Sequence, residues 1–276
     1  MKNLIVRTLT GILYVAVLIG GIFGGTYTFA GLFAIITALC LWEFYGLVNL
    51  KTEVNVNRII NVCGGVYLFL ATFVCVNWDL SFKVYLPYLL FVLLVFIVEL
   101  YRKKENPLLD LAYSFLGQVY IALPIALLNR IVFLPAETGG VEYAPLILAS
   151  LFIFIWTNDT GAYLFGASFG SRRLFERISP KKSWEGFWGG MVLSVSSSLL
   201  LSYFCPQIPL FHWVGIGICI VVLSTFGDLT ESLIKRTLNV KDSGKALPGH
   251  GGFLDRFDSM LFAIYGLVFY IEIAFR

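Results

Sequence analysis

Between Gly227 and Asp258 the chain gathers most of the side chains that could do chemistry. Asp228, Glu231, Ser232 and Lys235 stand at i, i+3, i+4 and i+7, so a helix would line them along one face. Two carboxylates can hold a hard cation, and an ammonium group beside them neutralises phosphate as a point charge. The plainer reading is an ordinary Glu231–Lys235 pair on a solvated helix end. Arg236 adjoins the stripe, and Lys241 and Asp242 follow it. Pro248-Gly249-His250-Gly251-Gly252 then packs three glycines and a proline into five residues. Such a loop lets backbone N–H groups approach phosphate oxygens. Asp255, Arg256 and Asp258 come next, and a helix starting there would place Asp255, Asp258 and Ser259 on one face. The Arg256 guanidinium can clamp phosphate with two parallel bonds. His250 reads equally well as a structural and as a catalytic histidine.

Two apolar runs and one basic loop carry further candidate groups. Asn158 and Asp159 interrupt the apolar run Trp156–Gly166, where a carboxylate is costly unless paired or bound to an ion. A buried hydrogen-bond network is the plainer alternative. Gly161 and Gly166 would let another helix pack closely. The segment Ser179-Pro180-Lys181-Lys182-Ser183-Trp184-Glu185-Gly186 follows Arg172, Arg173 and Arg177. Its expected tight Ser-Pro turn, Lys181, Lys182 and the interfacial Trp184 suit a phosphate or nucleotide contact, against a basic loop that touches anionic lipid. Glu43, in Trp42-Glu43-Phe44-Tyr45, is a further acid within an apolar run, with no partner that sequence can name.

The elements that must position these groups are membrane helices. The chain has 276 residues, 58% of them hydrophobic and 13% charged, with a mean hydropathy of +0.84. A soluble domain carries roughly 25% charged residues. The expected fold is an all-α integral membrane protein of about nine transmembrane helices, over residues 4–23, 27–48, 59–77, 84–100, 110–134, 145–167, 187–204, 209–228 and 258–275. These fill the chain as one polytopic domain over 1–276, with N-terminal spans in 1–134 and a catalytic part in 145–276. The first run is too long for a cleaved signal peptide and leads directly into a second span. Pro87 and Pro124 lie in or at the start of spans and suggest packed kinks. Cys40, Cys63, Cys75, Cys205 and Cys219 form no CxxC pair and read as small core residues.

Lys and Arg collect on the cytoplasmic side of membrane proteins. With a cytoplasmic N-terminus and nine alternating spans, 17 of the 20 Lys and Arg residues fall inside and Lys83, Arg130 and Arg276 outside. This orientation puts the C-terminus outside and both polar loops, 168–186 and 229–257, in the cytoplasm with the nucleotides.

The run Ser232-x2-Lys235-Arg236-x4-Lys241-Asp242-x5-Pro248-Gly249-His250-Gly251-Gly252-x2-Asp255-Arg256-x-Asp258 resembles the signature of the phosphatidate cytidylyltransferase family, also called CDP-diacylglycerol synthases. The likeness extends to Asn158-Asp159-x-Gly161-Ala162-Tyr163 and to Ser179–Gly186, where Ser183 stands in place of a common Thr and keeps its hydroxyl. It covers the C-terminal half strongly, and the N-terminal half mainly in hydropathy and in Glu43. The resemblance implies a multi-pass enzyme of the bacterial inner membrane that joins CTP to phosphatidic acid and releases pyrophosphate. It implies catalytic roles for Asp228, Lys235, Asp255 and Asp258. Asp228 and Asp255 would be ligands of a Mg²⁺-containing cation pair, with K⁺ as a candidate second ion. Asn158, Asp159, Lys181, Lys182, Ser232, Arg236, Lys241, Asp242, His250, Gly251, Gly252 and Arg256 would contact substrate. The partners are CTP, phosphatidic acid and the bilayer; a homodimer is compatible with the reading, and nucleic acid is not expected.

The nucleophile of such a reaction is an ionised phosphate oxygen, so metal and basic groups rather than a strong base must lower the barrier. Other classes fit less well. An ion-coupled transporter could use Glu43, Asp159 and Asp228, but it predicts matching broken helices in two halves, and the polar groups concentrate in one half. A CDP-alcohol phosphatidyltransferase would need an Asp-Gly-x2-Ala-Arg run, which is absent from the sequence. A lipid-binding scaffold would need no paired acids.

Overall fold

A computed structural model describes residues 2–135, 140–244, 246 and 251–274, with side chains from Thr8 onward. Among these residues the fold is helical, as expected. Its helices are α1 (Lys2–Phe23), α2 (Thr26–Val48), α3 (Arg58–Trp78), α4 (Leu86–Tyr101), α5 (Pro107–Gly117), α6 (Leu123–Val132), α7 (Pro145–Phe169), α8 (Trp184–Phe204), α9 (Leu210–Thr237) and α10 (Asp258–Ala274). Among the described residues seven segments are long and apolar enough to cross a bilayer. They are α2, α3, α4 with its preceding 3-10 turn, α5 continued into α6, α7, α8 and α9. The apolar part of α1, Thr8–Phe23, is shorter, and α10 has 17 residues.

Large apolar side chains lie exposed along these helices, among them Leu90, Leu93 and Leu100 on α4, Leu199 and Leu200 on α8, and Phe211 on α9. An apolar surface of that extent needs lipid to cover it. All five cysteines are free; Cys40 and Cys205 are buried as expected of core residues, whereas Cys75 and Cys219 are partly exposed and Cys63 is exposed.

The chain divides into two compact units. The first comprises Met1–Pro145 and Leu238–Phe257, and the second Leu146–Thr237 and Asp258–Arg276. In the first unit α2 and α3 pack together, and α3 also packs on α6. Phe29, Phe33, Phe69 and Phe133 are fully or almost fully buried. They form an aromatic core with Tyr143, whose hydroxyl donates to the Ile22 carbonyl at 2.6 Å. Helices α5 and α6 are one membrane segment joined by a π-helical turn, Gln118–Ala122. Pro124, in the first turn of α6, cannot donate a helical N–H, and the wider turn before it accommodates that loss. Pro87 also sits in a first helical turn, that of α4, where a missing N–H costs nothing. The turn side chain Gln118 donates to Tyr45 Oη at 3.0 Å and to the Asn61 carbonyl at 2.8 Å. At the α4–α5 junction the buried Asp110 accepts from Asn55 N at 2.8 Å and pairs with Lys104.

Two short antiparallel strand pairs, both outside the expectation of a purely helical chain, interrupt the helices. In the first unit β1 (Phe133–Pro135) pairs with β2 (Val141–Tyr143). In the second, β3 (Arg173–Phe175) pairs with β4 (Ser179–Ser183), with Arg173 opposite Ser183 and Phe175 opposite Ser179. The turn of this ribbon is Glu176–Ile178, so Ser179-Pro180 opens a strand and is not the tight turn expected from its sequence.

Within the second unit α9 packs along both α8 and α10. Helices α7 and α8 touch backbone to backbone. A β-carbon on Gly161 would lie 2.8 Å from the Gly189 carbonyl oxygen and from Gly190 Cα. Only glycine permits that approach, as the small residues of α7 led us to expect. Ser194 Oγ ties the same helices together by donating to the Phe154 carbonyl at 3.0 Å.

Candidate active site

The second unit holds a cavity of about 240 Å³ lined by Asn158, Asp159 and Tyr163 of α7, Lys181, Lys182 and Ser183 of β4, Ser224, Thr225 and Asp228 of α9, and Ser259 of α10. Each element supplies its side chains for a local reason. Helix α9 runs unbroken for 28 residues, about 42 Å at 1.5 Å per residue, which exceeds the roughly 30 Å apolar thickness of a bilayer. Its last turns therefore carry polar residues without placing them in hydrocarbon. Strand β4 ends at Ser183, whose hydroxyl accepts from Gly186 N at 3.1 Å and caps α8. The Glu185 carboxylate accepts from Ser171 N at 3.1 Å, from Ser171 Oγ at 2.8 Å and from Arg172 N at 3.2 Å. Trp184 N donates to the Arg172 carbonyl at 2.9 Å. The lysine-bearing strand is thus pinned at its α8 end.

The spacing along α9 produces the expected stripe. Ser232 Oγ donates to Asp228 Oδ1 at 3.3 Å, and Lys235 Nζ lies 2.6 Å from Glu231 Oε2. The Glu231–Lys235 pair exists, but not on a solvated helix end: the Glu231 side chain is 1% exposed and that of Lys235 13%. Across from the stripe, Lys182 Nζ sits 2.6 Å from Asp228 Oδ2, with both side chains about one-third exposed or less. Asp258 joins this acid group by a hydrogen bond with Glu231 and lies within electrostatic range of Asp228 and Lys235. The cavity lining thus combines two carboxylates, Asp159 and Asp228, two ammonium groups, Lys181 and Lys182, and several hydroxyls, with Glu231, Lys235 and Asp258 linked to Asp228 behind it. The buried Oδ1 of Asn158 has no hydrogen-bond partner among the described residues.

A separate polar centre lies in the first unit. Asp255 Oδ2 accepts from Ser243 N at 2.9 Å and from Gly252 N at 2.8 Å. Glu43 Oε2 accepts from Ser243 Oγ at 3.0 Å and from Leu254 N at 2.9 Å. The partners of Glu43, unnameable from sequence, are therefore the Ser243 hydroxyl and the Leu254 amide. Gly251 has φ +85°, a left-handed conformation that favours glycine. Asp255 does not share a helix with Asp258. It lies on a 3-10 turn, Leu254–Arg256, and α10 begins only at Asp258. The expectation of one face holding Asp255, Asp258 and Ser259 is corrected accordingly; the turn closes with Phe257 N donating to the Leu254 carbonyl at 2.9 Å.

Arg236, Lys241, Asp242 and Arg256 are exposed in the structure, and none of them lines the cavity of the second unit. Gly251 and Gly252 are the described part of the Gly-rich run; His250, with Pro248 and Gly249, lies outside the described residues. Sequence reasoning missed the pairing of Lys182 with Asp228 and the contributions of Ser224, Thr225 and Ser243. Hydroxyl residues so placed leave no local pattern in the sequence.

The donors around the cavity are carboxylate, amide and hydroxyl oxygens, the type that Mg²⁺ takes. Among the described residues no three His, Cys, Asp or Glu side chains converge as a ready-made metal site. Mg²⁺ is commonly held by only one or two carboxylates together with substrate phosphates, so the residues fit that ion when it arrives with a nucleotide.

Comparison with known proteins gives a family to this arrangement. The model of the cytidylyltransferase family matches residues 5–274. A phosphatidate cytidylyltransferase of Haemophilus influenzae is 29% identical over 94% of this chain and 95% of its own length. The phosphatidate cytidylyltransferase of Staphylococcus haemolyticus is 32% identical over 94% and 95%. That of Staphylococcus aureus strain COL is 38% identical over 59% of each chain. With a match that runs almost end to end and relatives that share nearly their whole length, this chain belongs to the cytidylyltransferase family.

Proposed function

We propose that the chain condenses CTP with phosphatidic acid, giving CDP-diacylglycerol and pyrophosphate. Membership of the family and the names of the full-length relatives support the reaction class. The observation that carries the reading to a place is the Lys182–Asp228 pair on the wall of the oxygen-lined cavity.

In this reaction a phosphate oxygen of phosphatidic acid attacks the α-phosphorus of CTP. The new P–O bond forms as the bond to the bridging oxygen of pyrophosphate breaks, and that oxygen leaves with its electron pair. The attacking oxygen is already ionised near neutral pH, so no general base has to take a proton. The obstacle is the approach of one anion to another, and fixed positive groups lower it. Lys182 and Lys181 on β4 and Lys235 on α9 supply ammonium groups for this. As an anionic nucleotide enters, Lys182 can turn from Asp228 to phosphate, which leaves the Asp228 carboxylate available to a cation. Asp228 would hold Mg²⁺, which when bound screens the triphosphate charge and stabilises the pyrophosphate leaving group. The resemblance gives Asp255 a parallel role as a metal ligand and admits K⁺ as a second ion. Asn158 and Asp159 face the same cavity and suit the polar parts of the substrates.

The membrane setting extends the proposal. Nine spans, a cytoplasmic N-terminus and an outward C-terminus would place both polar loops where CTP is, on the cytoplasmic face of a bacterial inner membrane. A homodimer is compatible with it. The test is a purified-protein assay with each nucleoside triphosphate, phosphatidic acid vesicles and Mg²⁺ present or omitted. The expected product is CDP-diacylglycerol from CTP, formed only with the metal. Equal turnover of the other ribonucleotides, or of diacylglycerol in place of phosphatidic acid, would refute the assignment.

A further inference from the structure

Glu43 is an acid in a membrane helix that the proposed reaction leaves unused. It lies on α2, five residues before the helix ends at Val48, about 7.5 Å along the axis. Its Oε2 accepts two hydrogen bonds from a loop some 200 residues later, from Ser243 Oγ at 3.0 Å and Leu254 N at 2.9 Å. The same Ser243 hydroxyl accepts from Asp255 N at 3.3 Å. Asp255 Oδ2 in turn accepts from Ser243 N and Gly252 N. Four bonds around Ser243 and Leu254 therefore connect the Glu43 carboxylate to the backbone and side chain of Asp255.

The packing around Glu43 is equally specific. A β-carbon on Gly244 would lie 2.5 Å from Glu43 Oε1, and one on Gly252 would collide with Ser243 Oγ and lie 2.7 Å from Glu43 Oε2. Two glycines thus make room for one carboxylate. Glu43 Oε1 is buried and has no hydrogen-bond partner among the described residues. A buried carboxylate oxygen without a partner is costly, and the two hydrogen bonds at Oε2 offset part of that cost.

We propose that Glu43 is the positioning residue of Asp255: from within a membrane helix its carboxylate holds Ser243 and Leu254, and through them aims the Asp255 carboxylate. The contacts stand on their own, and their consequence for turnover rests on the proposed role of Asp255 in cytidylyl transfer. Residues that orient a metal-binding carboxylate typically change metal affinity by 10- to 100-fold when removed.

Hydrogen exchange on the purified full-length protein in nanodiscs without nucleotide, followed by mass spectrometry, tests the inference. In E43A the peptides of 240–244 and 251–256 should exchange at least tenfold faster, while those of α3 and the remainder of α2 keep wild-type rates. The Mg²⁺ concentration for half-maximal turnover should rise roughly tenfold. E43Q retains an acceptor oxygen for Ser243 and Leu254 and should restore both readouts to near wild type. Unchanged exchange over 240–244 and 251–256 in E43A overturns the proposal, as does uniformly faster exchange across α2 and α3. Should E43A not fold, S243A removes both hydroxyl bonds, to Glu43 and from Asp255 N, while Leu254 N keeps its bond to Glu43, and in it the peptides of 240–244 and 251–256 must still exchange faster; wild-type protection there is equally contrary. D255A separates the two readings, for it should stop turnover while Leu254 stays protected. Retained turnover in D255A would remove Asp255 from the reaction and leave the exchange result to be judged alone.

Discussion

The two acid centres of this protein hold carboxylates in different ways. On α9 and its neighbours Asp228 and Glu231 are matched by the ammonium groups of Lys182 and Lys235 at 2.6 Å each. In the first unit Glu43 and Asp255 accept from backbone N–H groups and the Ser243 hydroxyl. The contrast has a physical consequence. An ammonium on a flexible stem can swing to an incoming phosphate and release its acid to a cation. Backbone donors stay where the fold puts them, so acids that depend on them are located rather than exchanged. In this account the first kind of centre handles charge that arrives and leaves, and the second keeps geometry constant.

The comparison breaks first at the acids themselves. D228A and D255A should each lower CTP incorporation roughly 10²- to 10³-fold, the range seen when a preorganised charge-stabilising group is lost, with membrane levels of protein unchanged. Substantial turnover in D228A would show that the cavity is not the reacting site.

K235M comes next. It leaves the 1%-exposed Glu231 without its ammonium partner, and breaking one side of a buried pair costs about 3 kcal/mol. A fall in the thermal unfolding midpoint of the purified protein is expected, larger than that for K182A at the more exposed pair. Equal midpoints would remove the distinction between the two lysines.

K182A should act on substrate use instead of stability. The apparent KM for CTP should rise roughly tenfold, the loss of one charge-assisted hydrogen bond, with the unfolding midpoint close to wild type. Unchanged kinetics would return β4 to the role of a basic strand that meets anionic lipid. The smallest effect belongs to S183A, which removes the α8 cap and should cost about 1 kcal/mol, read as a midpoint about 2–4 °C lower.

Much of this arrangement is legible in the residues, and the illegible part has a common cause. Hydropathy locates the helical segments because each must cover its own length of bilayer. Spacing alone puts Asp228, Glu231, Ser232 and Lys235 on one face, and α9 carries them so. The small residues of α7 announce its close approach to α8. By contrast, Lys182 meets Asp228 from 46 positions away, and Glu43 meets Ser243 from 200. Pairings of that range depend on how separate elements pack and leave no periodic trace. Pro180 misled for another reason: proline suits both a turn and an edge strand, and here the turn precedes it. Asp255 misled because an acid near a helix start signals the first turn without fixing which residue begins the helix.

The most direct measurement is transfer of label from α-³²P CTP to phosphatidic acid by the purified protein, wild type beside D228A, with pyrophosphate counted in parallel. Cytidylyl transfer at the cavity implies one labelled lipid per pyrophosphate in the wild type, dependent on Mg²⁺, and background transfer in D228A. Equal transfer by both proteins, or no transfer by the folded wild type with Mg²⁺ present, would contradict it.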